Sequence, residues 1–512
     1  MDRVDFKPTV FTALTRGDTD EAADAYAAAP LLNCLLREVA EPTPEPGVHR
    51  LPAGGTLLRV RGTRRPAEPE VFTGGAWRRV GHAELVRLTA DELFRATGVA
   101  NTALPAEMTG SRDAVAALLG ARAKAAVPED PYRRSEQSLL LGHPYHPAPK
   151  ARGGGPAADW LPYAPEAYAA FPLDLLAVRE DAVAEDGDTR ALDAFGEAPP
   201  GYRLLPAHPW QLALTQDSPR IRAAFADGRL LRLGRTARPL WPTAAIRTLY
   251  APEDDLFVKF SLDVRITNDI RRLWRHDLLK ARATDAATAA AFAARPGPAP
   301  AAWLSDRGYR TADFAFEELA VLVRDGFAGH LLPGATPLLA AALVEGFDGS
   351  PLDRLTDPAD WWAAYLRQVV PPVLAAFAHH GVVVEAHLQN TVVAVDAAGL
   401  PVQALFRDAE GVKLLPGVTR AAGWERLVYC LVVNHLAELA ALLAERFPGT
   451  DPWPAVRAEL RRHTADGALP EVTALLTSPT LPGKTNLLLR WTNADGADAR
   501  YLPLPNPLSA AS

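Results

Sequence analysis

The sequence predicts a multi-domain α+β protein. It has 512 residues, which at about 100–200 residues per domain corresponds to two to four domains. Hydrophobic residues make up 48% of the chain and charged residues 22%, which is typical of globular proteins and too apolar for a disordered chain. Segments with helical spacing alternate with short apolar runs bounded by Pro and Gly, so both helices and strands are expected.

The first 135 residues predict a mixed N-terminal domain. Apolar residues recur with helical spacing in Glu21–Ala29 and in His82–Thr97. Short strands are expected in Gly55–Arg61 and Glu70–Phe72, because Pro and Gly interrupt the chain around them. We assign residues 1–135 to this domain.

Residues 136–345 predict a second domain. Strands are expected in Leu230–Leu233, Ala244–Leu249 and Leu256–Leu262, and Asn268–Arg282 has helical spacing.

Residues 346–512 predict a third domain. It opens with helical spacing in Trp361–His379 and contains a long amphipathic helix in Trp424–Arg446. Between them, Val382–Val384 and Thr391–Val395 flank a polar segment and are expected to pair as strands.

Charge and cysteine content argue against several classes of function. The formal net charge is −7, and a general nucleic-acid binder needs a basic face to neutralise phosphates. Cys34 and Cys430 are too few for a disulfide framework. No window of ~18 uncharged apolar residues is found, and the start lacks the pattern of a secretory signal. We expect a cytoplasmic protein that acts on small molecules, without nucleic-acid or membrane partners.

The first polar cluster, Gly142–Arg152, concentrates cationic groups on a loop stiffened by Gly and Pro. It contains His143, His146, Lys150 and Arg152 but no carboxylate, which suits a polyanion. Only seven of the 54 basic residues are Lys, so a retained Lys reflects either chance survival or a need for a compact charge. Two alternatives remain: a structural His-Pro turn, and a zinc site, for which no third ligand lies nearby.

The second cluster, Pro242–Arg272, places charged groups next to a strand. Alternation puts Lys259 and Ser261 on the same strand face, which is how many ATP sites place a charge near the phosphates. Thr267 and Arg271 are four residues apart and are expected to share a helix face that could hold a carboxylate.

The third cluster begins with the alternating residues Glu385, His387 and Gln389, which would share one face of an extended chain. Burying such groups without partners costs about 1–3 kcal/mol each, so an apolar run rarely carries them by chance. Asn390 and Asp408 supply the oxygen ligands that Mg²⁺ prefers, and protein kinases use a similar Asn followed by a later Asp. The cluster predicts nucleotide chemistry without a Walker loop; a buried structural network is the alternative.

These clusters, in this order, resemble the NRPS-independent siderophore (NIS) synthetase family, the aerobactin-synthetase-like enzymes of the IucA/IucC type. The resemblance covers about residues 140–490, and its matching pieces are Gly142–Lys150, Ala207–Gln211, Arg247-Thr248, Lys259–Leu262, Ile266–Arg271, Glu385–Asn390 and Arg407-Asp408.

The resemblance implies a cupped-hand fold of thumb, fingers and palm, in which a largely helical palm carries a kinase-like nucleotide cradle. It also implies a reaction. MgATP activates a polycarboxylate, such as citrate or a citryl or succinyl derivative, as an acyl-adenylate. An amine, hydroxylamine or alcohol then displaces AMP to give an amide or ester. A homodimer is implied by the same analogy.

The family pattern also implies roles for individual residues. Contacts to ATP are implied for His146, Lys150, Arg247, Thr248, Lys259, His387, Gln389, Asn390 and Asp408. Mg²⁺ ligation is implied for Asp408, Asn390 and Glu385, and binding of the substrate carboxylate for Thr267, Arg271 and His387. His387, Arg271 and Lys259 are the expected catalytic residues.

Two departures from the family pattern keep other functions open. Ala245 stands where family members usually have a Ser, and the chain is short for the family, mainly on its N-terminal side. A nucleotide-binding protein without turnover is therefore one alternative. A kinase-like phosphotransferase is the other, since Lys259, Asn390 and Asp408 would serve that chemistry too.

Overall fold

The structure is a computed structural model that describes residues 16–153, 155–267, 269–294, 301–464, 469–494 and 501–509. Its α-helices, in chain order α1 to α15, are Arg16–Glu38, His82–Thr97, Ala103–Arg122, Pro131–Glu136, Ala157–Trp160, Pro209–Leu214, Pro219–Ala226, Arg275–Ala293, Ala340–Glu345, Pro358–His380, Arg420–Leu427, Ala437–Arg446, Trp453–Arg461, Pro470–Thr477 and Asn486–Trp491.

Strands are distributed along the whole described chain. In chain order β1 to β24 they are Glu41–Pro42, Val48–Leu51, Thr56–Arg61, Ala67–Thr73, Ala76–Arg79, Asp174–Arg179, Val183–Gly187, Tyr202–Ala207, Leu230–Arg235, Trp241–Pro242, Thr248–Ala251, Leu256–Phe260, Arg265–Ile266, Asp269–Ile270, Ala301–Leu304, Asp306–Ala312, Val321–Asp325, Thr336–Leu339, Val382–Val383, Thr391–Val395, Pro401–Arg407, Lys413–Leu414, Thr480–Lys484 and Tyr501–Pro505. The predicted mixture of helix and sheet is confirmed.

The N-terminal region packs α1, α2 and α3 against an antiparallel sheet with strand order β1-β2-β3-β4-β5. The predicted helix His82–Thr97 is confirmed with these bounds, and Gly98 ends it in the left-handed conformation at φ 69°. Buried Leu31, Leu58 and Leu85 belong to one apolar core. That core also contains Trp491, so the chain returns to this region near its end.

The central region contains a six-stranded sheet with order β10-β11-β12-β17-β16-β7. The predicted strand at 256–262 is confirmed as β12, which lies between β11 and β17. The prediction for Ala244–Leu249 is only partly right. Its first residues form a turn in which the Ile246 N–H donates to the Thr243 carbonyl, and the strand begins at Thr248.

The predicted helix at 268–282 is wrong at its beginning. Residues 265–270 include the short antiparallel pair β13 and β14, with Thr267 at φ 60° between them, and α8 begins at Arg275. Apolar spacing cannot separate a tight hairpin from a first helical turn over so few residues. Asn268 lies outside the described residues.

The third region is built around α10, which confirms the helix predicted at 361–379. The two apolar runs beside it are strands, but they do not pair with each other as predicted. β19 pairs with β22, whereas β20 pairs with β18 and β21. The four-stranded sheet β15-β21-β20-β18 has strands from both sides of residue 345, and the domain boundary placed there stays a prediction.

A continuous helix covers Arg420–Arg446 and so confirms the helix predicted at Trp424–Arg446. Its middle, Val428–Leu436, is π-helical. Within the described residues, this one helix is long and apolar enough to cross a membrane, but 72% of its apolar window is buried inside the protein. Leu431, Leu436 and Leu439 are part of the largest apolar core. The helix is thus a core element that forms one wall of the site.

Candidate active site

One cavity of about 640 Å³ is lined by residues from all three regions of the chain. Eleven of the twelve residues predicted for the site line it: Lys150, Arg247, Thr248, Lys259, Thr267, Arg271, Glu385, His387, Gln389, Asn390 and Asp408. Residues far apart in sequence therefore converge on one polar enclosure.

His146 is the predicted residue that the cavity does not include. It is buried, and its Nδ1 accepts a hydrogen bond from the Ala148 N–H at 3.1 Å, so the ring stabilises the loop from behind. His143 lines the cavity in its place. The Nδ1 of His143 accepts from the Tyr145 N–H at 3.1 Å, which leaves Nε2 as the protonated nitrogen of the neutral ring.

Lys259 is held between two carboxylates. As alternation on β12 predicts, its side chain leaves the face opposite Val258 and Phe260. Its ammonium lies 2.6 Å from Asp408 and 2.7 Å from Glu410, and its side chain is only 4% exposed. A buried charge of this kind is tolerated because it is paired and hydrogen-bonded.

Two guanidinium groups extend this ion cluster. Arg324 on β17 donates to Asp306 at 2.6 Å and to Asp408 at 3.0 Å. Arg247 lies 3.0 Å from Glu410 and also donates to the carbonyls of residues 271 and 272. Three cations therefore share a small number of carboxylates on one wall of the cavity.

The carboxyl groups of Asp408 and Glu410 are held ionised. Burial alone would raise the pKa of Asp408, but the charges of Lys259 and Arg324 hold it well below its usual range. For Glu410, burial is likewise outweighed by Lys259 and Arg247, and its pKa is lowered. The cluster therefore presents fixed charges of both signs to a ligand.

Thr267 and Arg271 meet through the hairpin instead of a helix face. The Arg271 guanidinium donates to the Thr267 hydroxyl at 2.7 Å and to the Ile266 carbonyl at 2.8 Å. Burial and then the positive charge of Arg247 lower the pKa of Arg271. Among the described residues, Arg271 has no ion pair, so its charge is available to an anion in the cavity.

The loop from 385 to 390 brings an imidazole and an amide to the ends of two strands. The Asn390 N–H donates to the His387 carbonyl, and the Asn390 carbonyl accepts from the Arg407 N–H. Pairing of β20 with β21 therefore places Asn390 beside the strand that leads to Asp408, as the sequence predicts. Burial lowers the pKa of His387, so its ring is neutral near pH 7.

Glu385, a predicted metal ligand, is held in an ion pair, as Asp408 is. Its carboxylate pairs with Arg426 at 2.5 Å and packs so closely on Gly411 that a Cβ there would overlap it. In the part of the chain that the structure describes, no group of three or more His, Cys, Asp or Glu is suited to a metal ion. A divalent cation would then depend on the predicted ligands Asp408, Asn390 and Glu385 together with oxygens of the ligand itself.

Lys150 reaches the cavity wall but is already paired. Its ammonium lies 2.6 Å from Glu166 and also donates to the Leu139 carbonyl, while Arg152 contacts the same Glu166 oxygen at 2.8 Å. Although burial opposes it, the positive charges of Lys150 and Arg152 lower the pKa of Glu166 to about 2. Lys150 is therefore built into the wall of the cavity.

The sequence predicts no role for three charged residues of the site, which are two glutamates and one arginine. Glu410 is part of the third sequence cluster, two residues after Asp408. This closeness to Asp408 is the signal by which Glu410 could have been predicted as a site residue. Arg324 and Glu166 lie outside the three clusters, and strand pairing and loop packing bring them to the cavity. Ala245 also lines the cavity, where it presents no hydroxyl.

Known protein sequences resemble this chain over most of its length. A sequence profile described as "IucA / IucC family" matches residues 131–345, and one described as "Ferric iron reductase FhuF-like transporter" matches residues 359–499. The chain is 30% identical over 439 residues to L-2,3-diaminopropanoate–citrate ligase of Staphylococcus aureus, covering 74% of this chain and 75% of that protein. It is 29% identical to the rhizobactin siderophore biosynthesis protein RhbC of Rhizobium meliloti, covering 73% and 75%.

Solved structures share the fold. The ATP-bound aerobactin synthetase IucA of Klebsiella pneumoniae superposes with a TM-score of 0.79 at 23% identity, over 95% of this chain and 100% of that one. The petrobactin biosynthesis protein AsbB of Bacillus anthracis gives 0.76 at 18% identity, over 96% of each chain. Sequence and fold together place this chain in the IucA/IucC family of NRPS-independent siderophore synthetases.

Proposed function

We propose that this protein is an ATP-dependent ligase that adenylates a polycarboxylate and joins it to an amine, hydroxylamine or alcohol. Citrate, or a citryl or succinyl derivative, is the proposed carboxylate. Relatives named as ligases of citrate with diaminopropanoate and with spermidine support this assignment. The observation that carries it is the single cavity in which the Lys259 cluster, Arg271 and His387 meet.

In the first half-reaction, a carboxylate oxygen attacks the α-phosphorus of MgATP and pyrophosphate leaves with the electrons of the broken P–O bond. This step depends on positioning and charge neutralisation, and it needs no protein nucleophile. We assign phosphate binding to Lys259 and Arg247, and we assign the substrate carboxylate to Arg271 and Thr267. The free charge of Arg271 supports that division of roles.

In the second half-reaction, the nucleophile attacks the carbonyl carbon of the acyl-adenylate. A C–N or C–O bond forms, the bond to AMP breaks, and the nucleophile loses a proton. We propose that the neutral ring of His387 accepts this proton, because it lies on the same wall as Asn390 and the Asp408 loop.

Mg²⁺ enters with ATP as part of the substrate. Its proposed ligands from this chain are Asp408 and Asn390, which lie at neighbouring strand ends, with ATP phosphates completing the shell. Glu385 is a third proposed ligand; like Asp408, it is held by an ion pair, in this case with Arg426.

The finer architecture is part of the same proposal. We propose that residues 1–135, 136–345 and 346–512 act as thumb, fingers and palm of a cupped hand, with the nucleotide held against the palm. A homodimer and a cytoplasmic location are proposed on the family analogy alone.

The decisive test is exchange of labelled pyrophosphate into ATP with citrate, succinate and 2-oxoglutarate as separate substrates. Exchange that requires one carboxylate, followed by release of AMP when an amine is added, would support the ligase. ADP as the product would support the kinase-like alternative, and the absence of exchange with every carboxylate would support binding without turnover.

The variant Lys259→Ala tests the assignment of the cluster. We expect exchange to fall about 100-fold or more, the size found when one donor that stabilises transition-state charge is removed. Lys280→Ala is the matched control, since Lys280 is exposed on α8. Wild-type exchange in the Lys259 variant would remove it from the phosphate site.

A further inference from the structure

The segment Ala207–Gln211 matches the family pattern, but its residues lie outside the lining of the cavity. It joins the end of β8 to the short helix α6. The His208 Nδ1 accepts a hydrogen bond from the Trp210 N–H at 3.2 Å, and Pro209 is the first residue of the helix. These contacts stabilise the start of the helix that carries Gln211.

Gln211 is a buried amide that joins two distant backbone segments. Its side chain is enclosed, with the residue only 3% exposed. Its Oε1 accepts from the Asp263 N–H at 2.8 Å, and its Nε2 donates to the Glu318 carbonyl at 3.0 Å. Because a buried backbone group that loses its partner is costly, these two bonds hold residues 263 and 318 in place.

Asp263 lies at the base of the hairpin that carries Thr267 and Arg271. The Leu262 N–H donates to the Arg271 carbonyl at 2.7 Å, and the Arg271 N–H donates to the Val264 carbonyl at 3.0 Å. The residues on either side of Asp263 therefore hold the backbone of Arg271. A displacement of residue 263 would also move residue 271.

Side chains at the base join the two arms of the hairpin. The Arg272 guanidinium donates to the two oxygens of Asp263 at 2.5 and 2.6 Å. The Ser261 hydroxyl accepts from the Leu273 N–H at 2.8 Å and donates to the Glu317 carbonyl. The hairpin base is thus connected to residues 317 and 318, and Gln211 adds a connection to α6.

Trp210 adds apolar burial to this connection. It is buried and belongs to the same apolar cluster as Leu262 and Val264. The segment therefore supports the hairpin base with both a polar and an apolar side chain.

The turn of the hairpin explains why such support is needed. Thr267 has a φ of 60°, a left-handed conformation that a β-branched residue rarely adopts. A conformation of this kind persists where surrounding contacts fix it. Within the described part of the chain, the Arg271 guanidinium donates to the Thr267 hydroxyl and the Ile266 carbonyl, both of the same hairpin. Its position therefore follows the position of the hairpin.

We propose that Gln211 is a positioning residue for the carboxylate site: it holds the base of the hairpin and so fixes Arg271 and Thr267 where the substrate carboxylate binds. The proposal rests on the role of Arg271 in the ligase function proposed above. Gln211 acts without touching the substrate, since it lies outside the cavity lining. A misplacement of about 1 Å can cost about 100-fold in rate, so a residue behind the site can affect function.

The variant Gln211→Met tests the support itself, because methionine has a similar volume but cannot form the two amide hydrogen bonds. The measurement is hydrogen–deuterium exchange of the full-length protein. We expect the amide hydrogens of Leu262, Asp263 and Arg271 to exchange about tenfold faster than in the wild type, because local opening becomes easier.

Gln403→Met is the matched control. Gln403 is equally buried and also joins two backbone groups: its Oε1 accepts from the Leu332 N–H at 2.9 Å, and its Nε2 donates to the His330 carbonyl at 2.7 Å. It lies on β21, outside the cavity lining. This variant should leave amide exchange in the hairpin unchanged.

Pyrophosphate exchange measures the functional consequence, with citrate as the carboxylate. We expect Gln211→Met to raise the KM for citrate about tenfold, while the KM for ATP stays within about twofold of the wild type. A smaller folded fraction alone would lower kcat and leave both KM values unchanged, so this split separates positioning from stability. In an Arg271→Ala background, Gln211→Met should have no further effect on the KM for citrate.

Gln211→Asn is the second variant, for use if the methionine variant folds poorly. It keeps an amide but is one methylene too short to reach both partners, and it should give the same two changes. Unchanged amide exchange in the hairpin would overturn the proposal. An equal rise of the citrate KM in Gln403→Met, or an effect of Gln211→Met that persists without the Arg271 side chain, would do the same.

The two measurements also separate this proposal from the proposed function, because amide exchange needs neither ligand nor turnover. Faster amide exchange in the Gln211 variants, without pyrophosphate exchange in the wild type, would refute the ligase and still support Gln211 as the residue that holds the hairpin. Citrate-dependent pyrophosphate exchange with an unchanged citrate KM in both Gln211 variants would refute the positioning role and leave the ligase standing.

Discussion

The Arg271 side chain shows how one residue can be assigned a task from its unmet charge. Lys259, Arg247 and Arg324 are each balanced by a carboxylate of the protein, but within the described part of the chain Arg271 donates only to Thr267 and to a backbone carbonyl. A guanidinium in this position matches a carboxylate geometrically and cannot lose its proton near neutral pH. We therefore propose Arg271 as the group that binds the substrate carboxylate.

Arg271→Ala should therefore act mainly on use of the carboxylate. We expect kcat/KM for the carboxylate in pyrophosphate exchange to fall about 10–100-fold, because a hydrogen bond to a charged group contributes about 1.5–3 kcal/mol. The KM for ATP should change little. Arg275→Ala, on the exposed start of α8, is the control. An unchanged carboxylate KM and kcat would place Arg271 outside the substrate pocket.

Short segments between the regular elements carry most of the site, and this limits what could be predicted from sequence. The position of Lys259 follows from alternation along one strand, which is a local property. The sequence correctly predicts that Thr267 and Arg271 meet, but it predicts that they do so on a helix face. A spacing of four residues brings side chains together on a helix and also across a tight hairpin. The choice between them depends on pairing of β13 with β14, which no local pattern encodes.

Long-range packing accounts for the other differences. His143 and His146 are equivalent in the sequence pattern, and only the fold decides which ring faces the cavity. Arg324 lies 84 residues before Asp408, and neither residue type predicts that pairing. Local sequence periodicity could therefore identify residues that line the cavity. It could not identify the charged residues that pair with them.

The loop that joins Asp408 to β22 depends on one glycine. A Cβ at Gly411 would overlap the Glu385 carboxylate, which pairs with Arg426. Gly411→Ala should separate that ion pair and move Asp408 and Glu410, with a loss of stability of about 1–3 kcal/mol from overpacking. Thermal unfolding and pyrophosphate exchange measure both effects.

Gly110 provides the matched substitution for this experiment. It lies in α3, and a Cβ there meets nothing within 4 Å. Gly110→Ala should be neutral or slightly stabilising, because Ala is preferred over Gly in a helix. If Gly411→Ala were equally harmless, the loop would have to be more tolerant than its contacts indicate.

The cavity exists only because distant parts of the chain are tied together, and buried ion pairs do much of this. Lys150 and Arg152 in the first sequence cluster converge on Glu166, and Arg407 in the third region pairs with Glu136 at 2.6 Å. Removing one partner of such a buried pair leaves a charge without compensation, which usually costs about 3–5 kcal/mol. The stability of the cavity walls therefore depends on the ionisation of these carboxyl groups as well as on apolar packing.

Glu166 gives this dependence a defined pH range. Its pKa in the folded protein is about 2, below its ordinary value of 4.5, because the attraction of Lys150 and Arg152 outweighs the effect of burial. A lowered folded-state pKa means that Glu166 stabilises the fold fully above pH 4.5, and that this contribution is lost as the pH falls toward 2. At neutral pH, Glu166→Gln should lower the free energy of unfolding by about 3 kcal/mol.

The pH dependence distinguishes this ion cluster from a simple loss of packing. In urea unfolding at neutral pH and near pH 3, the difference between wild type and Glu166→Gln should shrink at the lower pH, since Glu166 with its ordinary pKa of 4.5 is then protonated in the unfolded wild type. Glu197→Gln, which changes an exposed carboxylate, should follow the wild type at both pH values. A difference of the same size at both pH values would mean that Glu166 acts through shape alone, and that Lys150 needs no charge beside it to hold the wall of the cavity.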